Sequence, residues 1–212
     1  MSIIRIGSRG SDLALWQANF VKNELEKFGH QVSITIITTK GDAIQHLSFD
    51  KIEGKGFFTK EIEEQLLNNA VDLAVHSHKD LETTQPEGLA IGAVSHRANP
   101  ADVILVRKVR ADASKKFKLS QNSIVGTSSA RRHVQLTHFR PDLSIKDIRG
   151  NITTRIQKLR NGDFDAIILA YAGISRLKLD VSDLELVEMD IKEFIPAPAQ
   201  GVLALQIREG DH

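Results

Sequence analysis

The sequence predicts an α/β protein made of two similar domains, each with a largely parallel sheet flanked by helices. Three observations carry this. Apolar, β-branched runs alternate with amphipathic helical segments along most of the 212 residues. The run from Val71 to Val75 ends in the polar series Ser77-His78-Lys79-Asp80, as a buried strand does when it leaves a sheet. A strand–glycine–hydroxyl–helix pattern, Ile4-Arg5-Ile6-Gly7-Ser8-Arg9, recurs as Ser123-Ile124-Val125-Gly126-Thr127-Ser128-Ser129.

Ile3 to Ile6 reads as the first strand. A helix follows to about Phe28, with Ala14, Ala18, Val21, Leu25 and Phe28 on one face, Ser11 or Asp12 as its N-cap and Gly29 as its stop. Val32 to Ile37 alternates and is β-branched, hence a strand. Residues 38 to 58 are polar and aperiodic, a long loop of the kind that acts as a mobile lid. Thr59 is expected to cap a helix with Glu61, Glu63 and Glu64 in its first turns. Leu89 to Val94 and Val103 to Val106 are further strands, and the basic stretch from Arg107 to Lys118 is a solvated surface loop. Helices begin near Ala130 and Ile152, the latter with Ile152, Ile156 and Leu159 on one face. Asp165 to Ala170 is a buried strand, and Pro196 to Gly201 introduces a last one, Val202 to Ile207.

Composition narrows the chemistry. With 28 basic and 27 acidic residues the net charge is +1, which does not advertise a nucleic-acid or membrane surface. No cysteine is present, which removes disulfides, thiolate metal sites and a cysteine nucleophile from this chain. Met1-Ser2-Ile3-Ile4-Arg5 lacks the features of a signal peptide, so a cytoplasmic location is expected.

Ser77, Lys79 and Asp80 bring a hydroxyl, an ammonium and a carboxylate to the edge where α/β sheets bind ligands. An ordinary strand-to-loop junction would look the same. Arg131 and Arg132 open a helix, where cations oppose the macrodipole at roughly 0.3–1 kcal/mol each. With the first-turn amides and the hydroxyls of Thr127, Ser128 and Ser129 they suggest an anion site. Arg9, Arg149, Arg155 and Arg176 lie at comparable strand ends, which implies a ligand with several carboxylates or phosphates. The alternative is that each arginine reaches solvent or pairs with a nearby acid. Gly54-Lys55-Gly56 lacks the spacing of a P-loop. His76 and His78 lack a third metal ligand and read as structural or solvent-facing.

These residues also form a collinear series. Gly7-Ser8-Arg9 with Leu13 to Ala18, Gly54-Lys55-Gly56-Phe57-Phe58, Ala74 to Asp80, Val125 to Arg132, Arg149-Gly150-Asn151 with Arg155, and Pro198-Ala199-Gln200-Gly201 resemble the signatures of the porphobilinogen deaminase (hydroxymethylbilane synthase) family. The resemblance implies two domains shaped like periplasmic binding proteins with a cleft between them. Domain 1 would be 1–96 plus 197–212, domain 2 would be 97–196, with a hinge near 193–200. It implies condensation of four porphobilinogen units into linear hydroxymethylbilane, with release of ammonia, in tetrapyrrole (haem) biosynthesis. Asp80 would be the catalytic carboxylate. Arg9, Ser11, Lys55, Phe58, Ser77, Lys79, Thr127, Ser128, Ser129, Arg131, Arg132, Arg149, Gly150, Arg155, Arg176 and Gln200 would bind cofactor and chain carboxylates. The implied partners are porphobilinogen and the growing polypyrrole; no metal, nucleic acid or membrane is implied, and a monomer is expected.

The sequence departs from the family pattern at Leu81-Glu82, where Val-Pro is usual, and at Asp12, where Pro is usual. The family's dipyrromethane cofactor hangs on a cysteine of a third domain, which this chain lacks, so a fragment inactive alone is expected. A two-domain solute-binding or sensor module for a polycarboxylate, or a degenerate paralogue, are the competing readings.

Overall fold

In a computed structural model, residues 3–39 and 59–211 are described. The expected loop from residue 40 onward, with Lys55 and Phe58, lies outside them. The chain divides into two compact units, one formed by residues up to 98 and from 199 onward, the other by Asn99–Pro198.

The first unit has strands β1 (Ile3–Ser8), β2 (Gln31–Ile36), β3 (Leu73–Ser77), β4 (Leu89–Val94) and β10 (Leu203–Arg208), with helices α1 (Asp12–Lys27) and α2 (Lys60–Leu67). The second has β5 (Asp102–Arg107), β6 (Ile124–Gly126), β7 (Ser144–Lys146), β8 (Ala166–Ala170) and β9 (Leu184–Glu188), with α3 (Ala130–Phe139), α4 (Ile152–Asn161) and α5 (Tyr171–Leu177). Among the described residues the sheet orders are β2-β1-β3-β10-β4 and β7-β6-β8-β5-β9. They are one pattern used twice. In each, a parallel trio is followed by one antiparallel strand and then a strand that pairs only with it. The sheets are therefore mixed, with all strands but β10 and β5 running one way. Those two are the first strands after the chain passes from one unit to the other.

Apolar strands with both faces covered explain the continuous hydrophobic runs. On β5, Val103 and Leu105 join one core while Ile104 and Val106 join the other; on β8, Ile167 and Leu169 oppose Ala166 and Ile168 in the same way. In the first unit Leu73 and Val75 pack with Ala18 and Val21 of α1, and Ala74 faces Ile62 and Leu66 of α2.

The ends of α1 and α4 follow local chemistry, whereas two expectations at helix ends are not met. Ser11 caps α1 by accepting from Ala14 N–H, and Gly29, at φ 85°, follows its C-terminus. Asn151 caps α4 through Thr154 N–H, and Gly162 ends it in the left-handed region. Thr59, expected to cap α2, makes no side-chain capping bond because its backbone is already helical (φ −117°, ψ −29°). Phe28, expected on the apolar face of α1, sits just past the helix end and is 80% exposed. Strand β9 was not expected from the sequence. It is an edge strand carrying Glu185 and Glu188, which mask its apolar residues. The basic stretch from Arg107 to Lys118 is short turns held by ion pairs, Lys116 to Glu193 at 2.6 Å and Lys118 to Glu185 at 2.7 Å.

Candidate functional site

In the first unit β3 delivers its buried residues as far as His76 and then leaves the sheet at Ser77. A single 3-10 turn, His78–Asp80, follows, with Lys79 and Asp80 exposed. Pairing with β10 fixes this exit: Ser77 lies opposite Leu203, and His78 N–H donates to Val202 O at 3.0 Å. The same register brings the buried Gln200 alongside, where its Oε1 accepts from Lys79 Nζ at 3.1 Å and its carbonyl from Arg97 Nε at 3.0 Å. Gln17, buried on α1, donates to Ser77 Oγ at 2.8 Å. Parallel pairing of β1 with β3 sets Ser8, Arg9 and the start of α1 at this edge. The charge of Arg9 is felt by His76, whose pKa falls to about 4, mainly through burial. Arg9, Ser11, Ser77, Lys79, Asp80 and Gln200 thus gather at the carboxyl edge of one sheet. Ser11 is there as a helix cap, its hydroxyl already engaged.

In the second unit the loops after β6, β7 and β8 occupy the equivalent edge. Ser128 Oγ donates to Ile148 O at 2.9 Å and accepts from Ile148 N–H at 3.0 Å, tying the β6 and β7 loops together. Thr127 is buried and its Oγ1 accepts from Ser129 N–H. Arg155 Nε donates to Gly150 O at 2.8 Å. Gly150 has φ 109°, and a Cβ there would lie 2.7 Å from Thr154 Cγ2, so the turn between Arg149 and α4 needs glycine. Arg176, on α5, is half-buried, which lowers its pKa.

Arg131 and Arg132 both pair with a buried acid, the alternative that the sequence left open. Arg132 is buried and gives Nε and Nη2 to Asp102 Oδ1, at 3.2 and 2.7 Å, and Nη1 to Ile168 O. Arg131 Nη1 lies 2.7 Å from the other Asp102 oxygen and donates to Ile195 O. The carboxylate of Asp102 is fully buried at the start of β5. Two guanidiniums on one carboxylate offset the unfavourable helix position and leave the trio with one net positive charge. Arg132 is therefore a buried strut, while Arg131 keeps 25% of its side chain exposed. Thr127 and Ser128 are likewise committed to the loops that carry them.

Sequence reasoning passed over Asp102, Gln17 and Gln206. Each is a polar side chain on an otherwise apolar buried face, and that mismatch is the signal that marks them.

A family model described as "Porphobilinogen deaminase, dipyromethane cofactor binding domain" matches residues 4–212. The chain belongs to the porphobilinogen deaminase family. A porphobilinogen deaminase of a Nitratiruptor species is 48% identical over 205 residues, covering 97% of this chain and 65% of that protein. That of Bacillus subtilis (strain 168) is 45% identical over 213 residues, covering 100% and 66%. The chain thus spans about 65% of the length of the first of these relatives. Among solved structures, an ancestral cationic amino acid solute-binding protein aligns with 99% of this chain and 83% of its own, with a TM-score of 0.56 at 16% identity. That likeness shows the two-domain α/β fold, which the family shares with solute-binding proteins. Among the described residues no helix is long and apolar enough to cross a membrane.

Proposed function

We propose that this chain supplies the catalytic carboxylate and the carboxylate-binding residues of a hydroxymethylbilane synthase. Such an enzyme condenses four porphobilinogen units head to tail and releases ammonia. The observation that carries the proposal is Asp80, an acid exposed one short turn beyond a buried strand, at the position to which the family resemblance gives the reacting group.

Loss of ammonia breaks the C–N bond of the aminomethyl arm and leaves a cationic azafulvene. A pyrrole carbon of the chain end attacks the methylene, a C–C bond forms, and the attacking carbon releases its proton. Asp80 stabilises the cation at the pyrrole nitrogens and relays protons between these steps. Lys79, Ser77, Arg9, Ser11 and Gln200 fix its surroundings in the first unit, with Lys55 and Phe58 assigned to the same task by resemblance. In the second unit Ser129, Arg131, Arg149, Arg155 and Arg176 bind acetate and propionate arms. Thr127, Ser128, Gly150 and Arg132 hold the loops that carry them. When bound, the family's dipyrromethane supplies the pyrrole end to which units are added. Guanidinium and hydroxyl donors suit its carboxylates, whereas its thioether link requires a cysteine thiol, and residues 1–212 contain no cysteine.

The test uses the longest natural reading frame containing this chain, supplied with porphobilinogen, with pyrrole consumption and oxidisable tetrapyrrole as readouts. Asp80→Asn is expected to fold normally and lose about 10²–10⁴-fold or more in rate, the range for a positioned acid–base group. Near-normal turnover would remove Asp80 from the mechanism.

A further inference from the structure

The turn that carries Asp80 is entered through the His78 N–H bond to Val202 O at 3.0 Å and closed by Leu81 N–H to His78 O at 3.2 Å; among the described residues no regular structure follows until β4. Gln206 of β10, opposite Ala74 of β3, is a fully buried amide that stands between the apolar Leu205 and Ile207 in the chain. Its Oε1 lies 3.1 Å from His76 Nε2 on β3. Its Nε2 donates to Gln85 Oε1 at 2.9 Å and to Glu63 Oε1 of α2 at 3.2 Å. Gln85 in turn donates to Glu82 O at 2.9 Å, closing the segment that leaves Asp80.

The orientation of this amide follows from its partners. A carboxylate only accepts, so the amide nitrogen faces Glu63, the amide oxygen faces His76, and His76 carries its proton on Nε2. One side chain thus grips the strand before Asp80 and the segment after it. A leucine would fill the same volume without the desolvation cost of an amide, so the polarity of residue 206 is not explained by packing.

We propose that Gln206 is a positioning residue for Asp80, its carboxamide clamping His76 and Gln85 on either side of the reactive turn. The proposal rests on the reading of Asp80 as the reacting group. The geometry makes the clamp a matter of placement rather than of contact, since Gln206 is buried within the sheet, opposite Ala74, while Asp80 is exposed beyond its end. A displaced catalytic group costs up to about 10²-fold in rate with binding largely intact.

The test compares Gln206→Leu, and Gln85→Leu in case the first variant does not fold, with the wild type. In the chain itself, the Nε2–H imidazole signature of His76 and the hydrogen exchange of Leu81 N–H are followed. In the longest natural reading frame, kcat and KM are measured separately. The expected result is faster exchange at Leu81 relative to β1 in both variants, loss of the His76 signature in Gln206→Leu, and a fall in kcat of about 10–10²-fold with KM little changed. A role confined to core stability would lower global stability alone, leaving kcat and the relative exchange of Leu81 at wild-type values, and would overturn the proposal. The exchange and imidazole readouts need no substrate. A failure of the clamp is therefore separable from a failure of Asp80, which the Asp80→Asn rate reports.

Discussion

Acidifying the protein from pH 7 to pH 4 tests how His76 is held. Burial is the main cause that lowers its pKa from 6.5 to about 4, with Arg9 adding to it and the Gln206 bond opposing. The unfolded chain therefore binds a proton that the folded chain refuses. The contribution is complete above 6.5, is lost as pH falls from 6.5 towards 4, and is constant below. Each pH unit across that window is worth ~1.4 kcal/mol, so the whole span removes on the order of 3 kcal/mol of stability. Asp72, held near 2 by its hydrogen bonds to Arg5, and Asp142, held near 2 by Arg140, act in a lower window. Their contributions are complete above 3.8 and fall away only beneath it. Urea unfolding from pH 7 to 4 in wild type and His76→Gln isolates the histidine, because glutamine keeps an N–H donor and does not titrate. The difference between the two curves should tilt steadily through this window. Parallel curves would mean that His76 is protonated when folded, and the buried neutral tautomer would be wrong.

Asp102→Ala strands the buried guanidinium of Arg132 and is expected to cost ~3–5 kcal/mol by urea unfolding, whereas replacing both residues by leucine should recover most of the loss. Gly201→Ala is expected to lower stability by ~1–3 kcal/mol, read as a fall in Tm. Its φ is 91°, and an added Cβ would stand 2.5 Å from the carbonyl oxygen of Ala98, a backbone atom that cannot swing aside.

What was legible in the sequence is what local chemistry decides. The apolar runs Val103–Val106 and Ala166–Ala170 read as strands, the second as a buried one, and Ser11 and Gly29 marked both ends of α1. The exposed edge strand β9 was hidden by its glutamates, and Thr59 looked like a cap although its backbone was committed to the helix. At the site, the positions of Asp80, Lys79 and the loop arginines followed from strand ends. Their partnerships did not. Asp102 is 30 residues from Arg132, and Gln206 is 130 and 143 residues from His76 and Glu63. Spacing along the chain is silent about contacts that only sheet order creates, so the pairing of Arg132 with Asp102 could not be read from it.

The sheet order also sets a timetable for synthesis. Among the described residues β4 pairs only with β10, and β10 leaves the ribosome only after all of Asn99–Pro198. The first hundred residues emerge able to form β2-β1-β3, but with β4 unattached and the outer edge of β3 bare. Asn99–Pro198 is continuous and holds every strand of its own sheet. The middle of the protein can therefore finish folding while its beginning waits, and the waiting edge is the one beside His76 and Ser77. Nascent chains halted before residue 199 should resist protease across 99–198 and be cut readily in the first ninety-eight residues. The strand that ends this wait is also the one that carries Gln206.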